Sequence, residues 1–199
     1  MKNIITQSLE KSYTYQQYRT FVTTALETDP SILELQEDYL PYAELNEVRM
    51  NRLDKTVTID TEIQAKLQQL KGAYIWLVLS ESWCGDAAQV LPVVNKMAEA
   101  TKQVDLVVVF RDQNNDLMEE FLTNGGKAIP KLIVLDKNTL EVLGDWGPRP
   151  FGAQKTVDDY KAEHGQFDDQ GIVVLQKWYA KDKGQSVQRE VLELMNGLK

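Results

Sequence analysis

A single cysteine, Cys84, stands in the run Glu81-Ser82-Trp83-Cys84-Gly85-Asp86-Ala87, and its surroundings point to a reactive sulfur. Residues 74–80 before it are almost all apolar or β-favouring, and residues 86–100 after it repeat apolar side chains at helical spacing. A cysteine at such a strand-to-helix junction meets unpaired N–H groups and the positive end of a helix dipole, which favour thiolate over thiol. The expected thiol pKa is therefore below its free value of about 8.5. A C-x-x-C redox pair would need a second cysteine at position 87, where Ala87 stands. A lone thiolate can attack a disulfide, but it cannot expel the mixed disulfide that results; turnover needs an external thiol. The competing reading is a small buried hydrophobe, the usual fate of an isolated cysteine.

The other candidates for chemistry are fewer. His164, the only histidine, lies far along the chain at an expected helix end, and nothing near it resembles a Cys–His dyad. The pairs Asp158-Asp159 and Asp168-Asp169 fit solvated turns or helix starts, and their spacing suits neither a metal loop nor paired carboxylate catalysis. One cysteine forbids an internal disulfide, and one cysteine with one histidine cannot complete a structural zinc tetrad. No metal and no cofactor are expected.

The elements that must position Cys84 follow from length and patterning. The chain has 199 residues, 43% of them apolar and 26% charged, as for an ordinary globular protein with one good core. A net charge of −8 argues against a nucleic-acid binder. No segment is apolar for long enough to span a bilayer, and residues 1–17 lack the apolar run of a signal peptide, so a cytoplasmic location is the default.

Tyr15, Tyr18, Val22 and Leu26 form a helical stripe. Ser31 is a candidate cap before Ile32, and Leu45, Val48 and Arg52 suggest a helix to about residue 53. Residues 56–59 alternate weakly like a strand, and Thr61 with Gln64 reads as a capping box. Strands are predicted at 74–80, 105–111, 131–135 and 140–143, the last two as a hairpin through Asp136-Lys137-Asn138. Long helical connections between the first three predict that those run parallel. Two further helices close the chain, with Ser186 a candidate cap of the last. The predicted organisation is a helical extension over residues 1–71, an α/β core over 72–150, and C-terminal helices over 151–199 completing the same domain.

Strand, Trp-Cys-Gly, helix, strand, helix, Ile-Pro, hairpin: this order resembles thioredoxin. Pro92, eight residues after Cys84, matches the proline of the family's active-site helix, and the segment 110–114 resembles its Asp-x-Asn turn. Gly126-Lys127-Ala128-Ile129-Pro130 resembles the segment that holds the cis-proline, and Gly147 falls near the glycine bordering the substrate groove. The run Trp146-Gly147-Pro148-Arg149-Pro150 is similar to that of a bacterial thioredoxin-like subgroup with a helical N-terminal extension. The resemblance covers about residues 72–147. Three departures weigh against ordinary dithiol reduction: Ala87 at the resolving position, Val78 where the family buries a carboxylate, and Lys131 in place of a small residue after the proline.

The resemblance implies a thioredoxin-like α/β fold with helical extensions, and a site in which Cys84 is the nucleophile. Trp83, Gly85, Asp86, Ile129, Pro130 and Arg149 would surround the substrate. Ile129 would offer its backbone to an extended substrate. Trp83 would wall off the sulfur or simply pack. Asp86 reads first as a favourable charge in a helix's first turn, and second as acid–base help or repulsion against the thiolate. Arg149 would sit over the active site and lower the Cys84 pKa or hold a carboxylate, or else lie between its prolines at the surface. Two functions stay open: a monothiol thiol–disulfide oxidoreductase resolved by an external thiol, and a redox-inactive module binding peptides or proteins through the cis-proline groove. The partners implied are a protein or a low-molecular-weight thiol or disulfide, with neither nucleic acid nor membrane.

Overall fold

The computed structural model describes residues 1–198. In chain order the elements are α1 (Lys2–Glu10), β1 (Tyr13–Thr14), α2 (Tyr15–Thr28), α3 (Leu40–Thr56), α4 (Thr61–Gln68), β2 (Tyr74–Ser80), α5 (Gly85–Glu99), β3 (Val104–Phe110), α6 (Asn115–Glu120), β4 (Lys131–Asp136), β5 (Val142–Trp146), α7 (Phe151–His164), α8 (Asp169–Asp182) and α9 (Gln185–Gly197). Two 3-10 turns, Pro30–Leu33 and Glu37–Tyr39, join α2 to α3. The five strands lie in the order β1-β3-β2-β4-β5. Consecutive residues of β2 and β4 are buried, so helices cover both faces of the sheet there. Trp76 of β2 is fully buried and its indole N–H reaches Met195 Sδ of α9 at 3.3 Å.

Strands β2 and β3 are parallel over their full lengths, from Tyr74 opposite Val104 to Ser80 opposite Phe110. Strand β4 is not parallel to them. It runs antiparallel to β2, with Lys131 opposite Leu79. The reason is the reach of the connection. A parallel β4 would need the chain to return the length of β2, about 20 Å for seven residues. Helix α6 has six residues and spans about 9 Å. After it, Thr123 and Gly126 pair in a tight turn with Gly125 at φ 78°, and the chain stays at the end where β2 finishes. Entering the sheet there, it can only run back.

Several local expectations shift for identifiable reasons. Thr14 caps α2 through a capping box with Gln17, whereas α4 is capped by Asp60, whose carboxylate accepts from Glu62 N and Ile63 N; Thr61 is the first helical residue. Asp29 rather than Ser31 caps the turn before α3, and Gly184 rather than Ser186 precedes α9. Residues 57–59 are loop. The hairpin is longer than expected: Asp136 accepts from Asn138 N and Thr139 N, Leu140 takes a left-handed φ of 60°, and β5 starts at Val142. In α3 the buried face is Ala43, Asn46 and Met50, while Leu45 and Val48 are exposed. Strand β1, antiparallel to β3 through Tyr13 opposite Val108, had no counterpart among the predicted elements, whereas helix α7 ends at His164.

The two ends of the sheet's last hairpin fix the ground beneath Cys84. Gly147 sits at φ 115°, and a Cβ there would collide with the carbonyl oxygen of Pro130. Only glycine allows that approach. We therefore expect Gly147→Ala to destabilise the fold by about 3 kcal/mol or more, read by urea unfolding, since strained φ and a backbone clash add.

Candidate functional site

Cys84 is the N-cap residue of α5, at the end of β2 and the mouth of the sheet. Its position follows from the predicted strand and helix, which begin and end within a residue of expectation. What surrounds it comes from five other stretches of chain. The thiol faces the loop before β4: Cys84 Sγ donates to Ile129 O at 3.4 Å and accepts from Ala87 N at 3.5 Å. Ile129–Pro130 is a cis peptide, and so is Gly147–Pro148. Cys84 is nearly buried, at 7% exposure.

Asp86, in the first turn of α5, is also buried and is held twice. Arg149 Nη2 lies 2.6 Å from its Oδ2, and the Tyr179 hydroxyl of α8 donates to Oδ1 at 2.8 Å. Burial, then the Asp86 charge, push the Tyr179 pKa well up, so its hydroxyl keeps its proton for that bond. Asp86 stands in the first turn of α5, where the sequence puts it, and in addition anchors the motif helix to Arg149 and α8. Arg149 does reach the site, but its strong contact is with Asp86 rather than with the sulfur.

This arrangement reverses the expected electrostatics of Cys84. Burial, and next the charge of Asp86, push the thiol pKa up to about 12. Hydrogen bonds from Ala87 N–H and Asp86 N–H, and the distant pull of Arg149, oppose this and lose. The thiolate expected from the helix N-terminus is therefore not the resting form. Desolvation of a charge outweighs a few dipoles when nothing polar replaces the lost water.

Trp83 stacks on Tyr39, ring centroids 4.5 Å apart, and the Arg111 guanidinium lies 5.1 Å from its ring centre. It forms a wall, in agreement with its expected place. A cleft of about 510 Å³ opens in front of Trp83, Cys84 and Ile129. Its far side is built by Tyr42, Leu45 and Arg49 of α3, and by Phe167, Ile172, Leu175 and Gln176 on and before α8. Arg49 is oriented by a relay: its Nη1 donates to Asn46 Oδ1 at 2.9 Å, and Asn46 Nδ2 donates to Ser82 O at 2.9 Å. Gly85 lies beneath both helices: a Cβ there would stand in ordinary contact with Gln176 Nε2 at 3.5 Å and Arg49 Nη1 at 3.7 Å. His164 lies outside this cleft, exposed at the end of α7.

With that geometry in view, comparison with known proteins is decisive for the family. A thioredoxin family model matches residues 32–161, well over half the chain. The chain belongs to the thioredoxin family. No curated protein sequence matches it. Among solved structures, the chain is similar to an HIV epitope scaffold, 17% identical, TM-score 0.60, covering 86% of this chain and 99% of that one. A protein of unknown function from Pseudomonas aeruginosa is 16% identical with a TM-score of 0.58, covering 93% and 98% respectively. At such identities the likeness concerns the fold. No helix of the described residues is long and apolar enough to cross a membrane, and no cluster of three metal-ligating side chains occurs among them.

The sequence brings together Trp83, Cys84, Gly85, Asp86, Ile129 and Arg149 at one cleft of this thioredoxin domain, with Pro130 directly behind Ile129. Sequence reasoning missed Tyr39, Tyr42, Arg49, Lys127 and Tyr179. The spacing of Tyr42, Leu45 and Arg49 along one helical side was the available signal. It also missed Glu81, a buried carboxylate just before Trp83 that accepts from Asp112 N at 2.9 Å. Burial raises the Glu81 pKa to about 7, more than the Asp112 N–H bond lowers it. Because the folded state holds this proton more tightly than the unfolded chain, stability falls as pH rises from the ordinary carboxyl range to about 7. We expect Glu81→Gln to remove that slope and to stabilise the protein at neutral pH by up to about 3 kcal/mol, measured by urea unfolding across the acid range.

Proposed function

We propose that this thioredoxin-family protein is a binding module whose cis-proline groove, closed over by α3 and α8, captures a ligand without thiol–disulfide turnover. The observation that carries this reading is the state of Cys84: a nearly buried neutral thiol, donating to the Ile129 carbonyl, with no second thiol in the sequence. A nucleophile for disulfide exchange must be a thiolate with access to its target. The cleft supports binding by other means. It offers the Trp83–Tyr39 aromatic wall, the apolar Leu45, Ile172 and Leu175, and a few polar groups at its edges, the usual makeup of a ligand site.

A second reading, monothiol exchange, is favoured by one observation: Cys84 lines the cleft at the N-terminus of a fifteen-residue helix. In that reaction the Cys84 thiolate attacks one sulfur of a disulfide and the other leaves as a thiolate. The mixed disulfide then waits for an external thiol, because Ala87 cannot resolve it.

The two readings part at the sulfur. With a pKa near 12 the thiolate fraction at neutral pH is about a thousandfold below that of a free cysteine. In the folded protein, Cys84 is expected to react with an aromatic disulfide reagent far more slowly than free cysteine does, and to recover normal reactivity on unfolding. Reaction at or above the free rate in the folded state would overturn the binding-module reading in favour of exchange. In that case Ala87→Cys should also confer measurable dithiol reduction of insulin.

A further inference from the structure

The protein is acidic overall, yet the cleft gathers four cationic side chains, Arg49, Arg111, Lys127 and Arg149, against one carboxylate, Asp86. They form two pairs. Arg49 lies beside Gly85, and Arg149 beside Asp86, so both stand over the first turn of α5. Arg111 and Lys127 stand together at the other edge, where Arg111 Nη1 donates to Lys127 O at 3.4 Å.

Their partners differ in kind. Lys127 pairs with Glu119 and Arg111 with Asp112, both exposed carboxylates on the outer rim. Exposed pairs of this sort are worth little and are easily exchanged. Arg149 is committed to Asp86 through Nη2 and to Gln154 through Nη1, but its Nε is buried with no hydrogen-bond partner. Arg49 has no carboxylate partner among the described residues. Its one fixed contact is the amide oxygen of Asn46, and the Asn46–Ser82 link holds it toward the cleft. Burial and the nearby Arg52 both lower its pKa, the mark of a guanidinium short of a counter-charge. A guanidinium presents a planar fork that matches a carboxylate.

Resting on the binding reading above, we propose that the cleft takes a small acidic peptide-like ligand of about three residues carrying two carboxylates. Arg49 receives one carboxylate, and the Arg111–Lys127 pair receives the other. The chain of the ligand lies between them along Trp83, Tyr42 and Ile129. The cleft volume of about 510 Å³ suits a small molecule rather than a folded partner.

The test is isothermal titration calorimetry on the full chain with N-acetyl-Glu-Val-Glu-amide and its uncharged counterpart N-acetyl-Gln-Val-Gln-amide. The acidic peptide is expected to bind at least about tenfold tighter, and to weaken as salt rises. Arg49→Gln should cost about tenfold and Lys127→Gln about threefold, the second at an exposed site where folding is not at risk. Equal binding of both peptides, unchanged affinity in both variants, or no binding at millimolar peptide would overturn the proposal. Neither peptide carries sulfur. A Cys84 that proved reactive would therefore unseat the reading of function while leaving this ligand class standing.

Discussion

The buried carboxylate of Asp86 is the constraint on which the rest of this site depends. A charge inside a protein is tolerated only when paired and hydrogen-bonded, and here Arg149 and Tyr179 do both. Three separate stretches of chain are thereby locked together: the first turn of α5, the loop after β5, and α8. Removing one member of such a set typically costs about 3–5 kcal/mol, because the other is left buried and unpaired. The same set decides the chemistry of its neighbour. Asp86 uses the cation that could otherwise have stabilised a Cys84 thiolate, and adds a negative charge nearby. Fold and reactivity are thus in competition for Arg149, and the fold wins.

The loop that delivers Arg149 is held with similar care. Trp146 Nε1 donates to Glu190 Oε2 at 2.9 Å, and Phe151 N, at the start of α7, donates to Glu190 Oε1 at 2.8 Å. One carboxylate from α9 therefore grips both ends of the segment 147–150. Its charge lies at a helix N-terminus, where it is favourable. Gly147 brings this segment against Pro130, and Pro130 follows the residue whose carbonyl accepts the Cys84 thiol. The C-terminal helices therefore belong to the construction of the site, through Glu190 on α9 and Tyr179 and Gln176 on α8.

Which parts of this were legible in the sequence follows from how local each feature is. Strand β2, helix α5 and the junction at Cys84 could be read because apolar runs and helical spacing are properties of a few neighbouring residues. The company of Ile129, Pro130 and Arg149 was legible only through family resemblance, since their separation from Cys84 carries no periodic signal. The direction of β4 was not legible, because it depends on the reach of a six-residue helix and the turn at Thr123–Gly126 rather than on any strand residue. Strand β1, at two residues, exists only because β3 offers an edge. The far wall of the cleft was hidden for another reason: Leu45, Val48 and Arg52 marked a helix without saying which side is covered, and packing buried Ala43, Asn46 and Met50. Tyr42, Leu45 and Arg49 were left to face the cleft.

The sign of the Cys84 pKa shift shows how far local reasoning carries at such a site. A helix N-terminus favours anions by an amount that is real but modest, typically about 0.3–1 kcal/mol when exposed. Full desolvation of a thiolate costs more than that, and the cost depends on everything that covers the residue. Here the cover comes from the Ile129 loop and from the helices outside the strand–helix core, none of which is adjacent in sequence. An open groove with the same seven-residue motif would leave the sulfur in water and the dipole in charge. With α3 and α8 across that groove the sulfur stands at the back of a cleft, where Arg49, rather than a thiolate, is a charged group with no carboxylate partner among the described residues. A cysteine can therefore keep its place at a helix N-terminus while residues distant in sequence, packed around it, set its protonation.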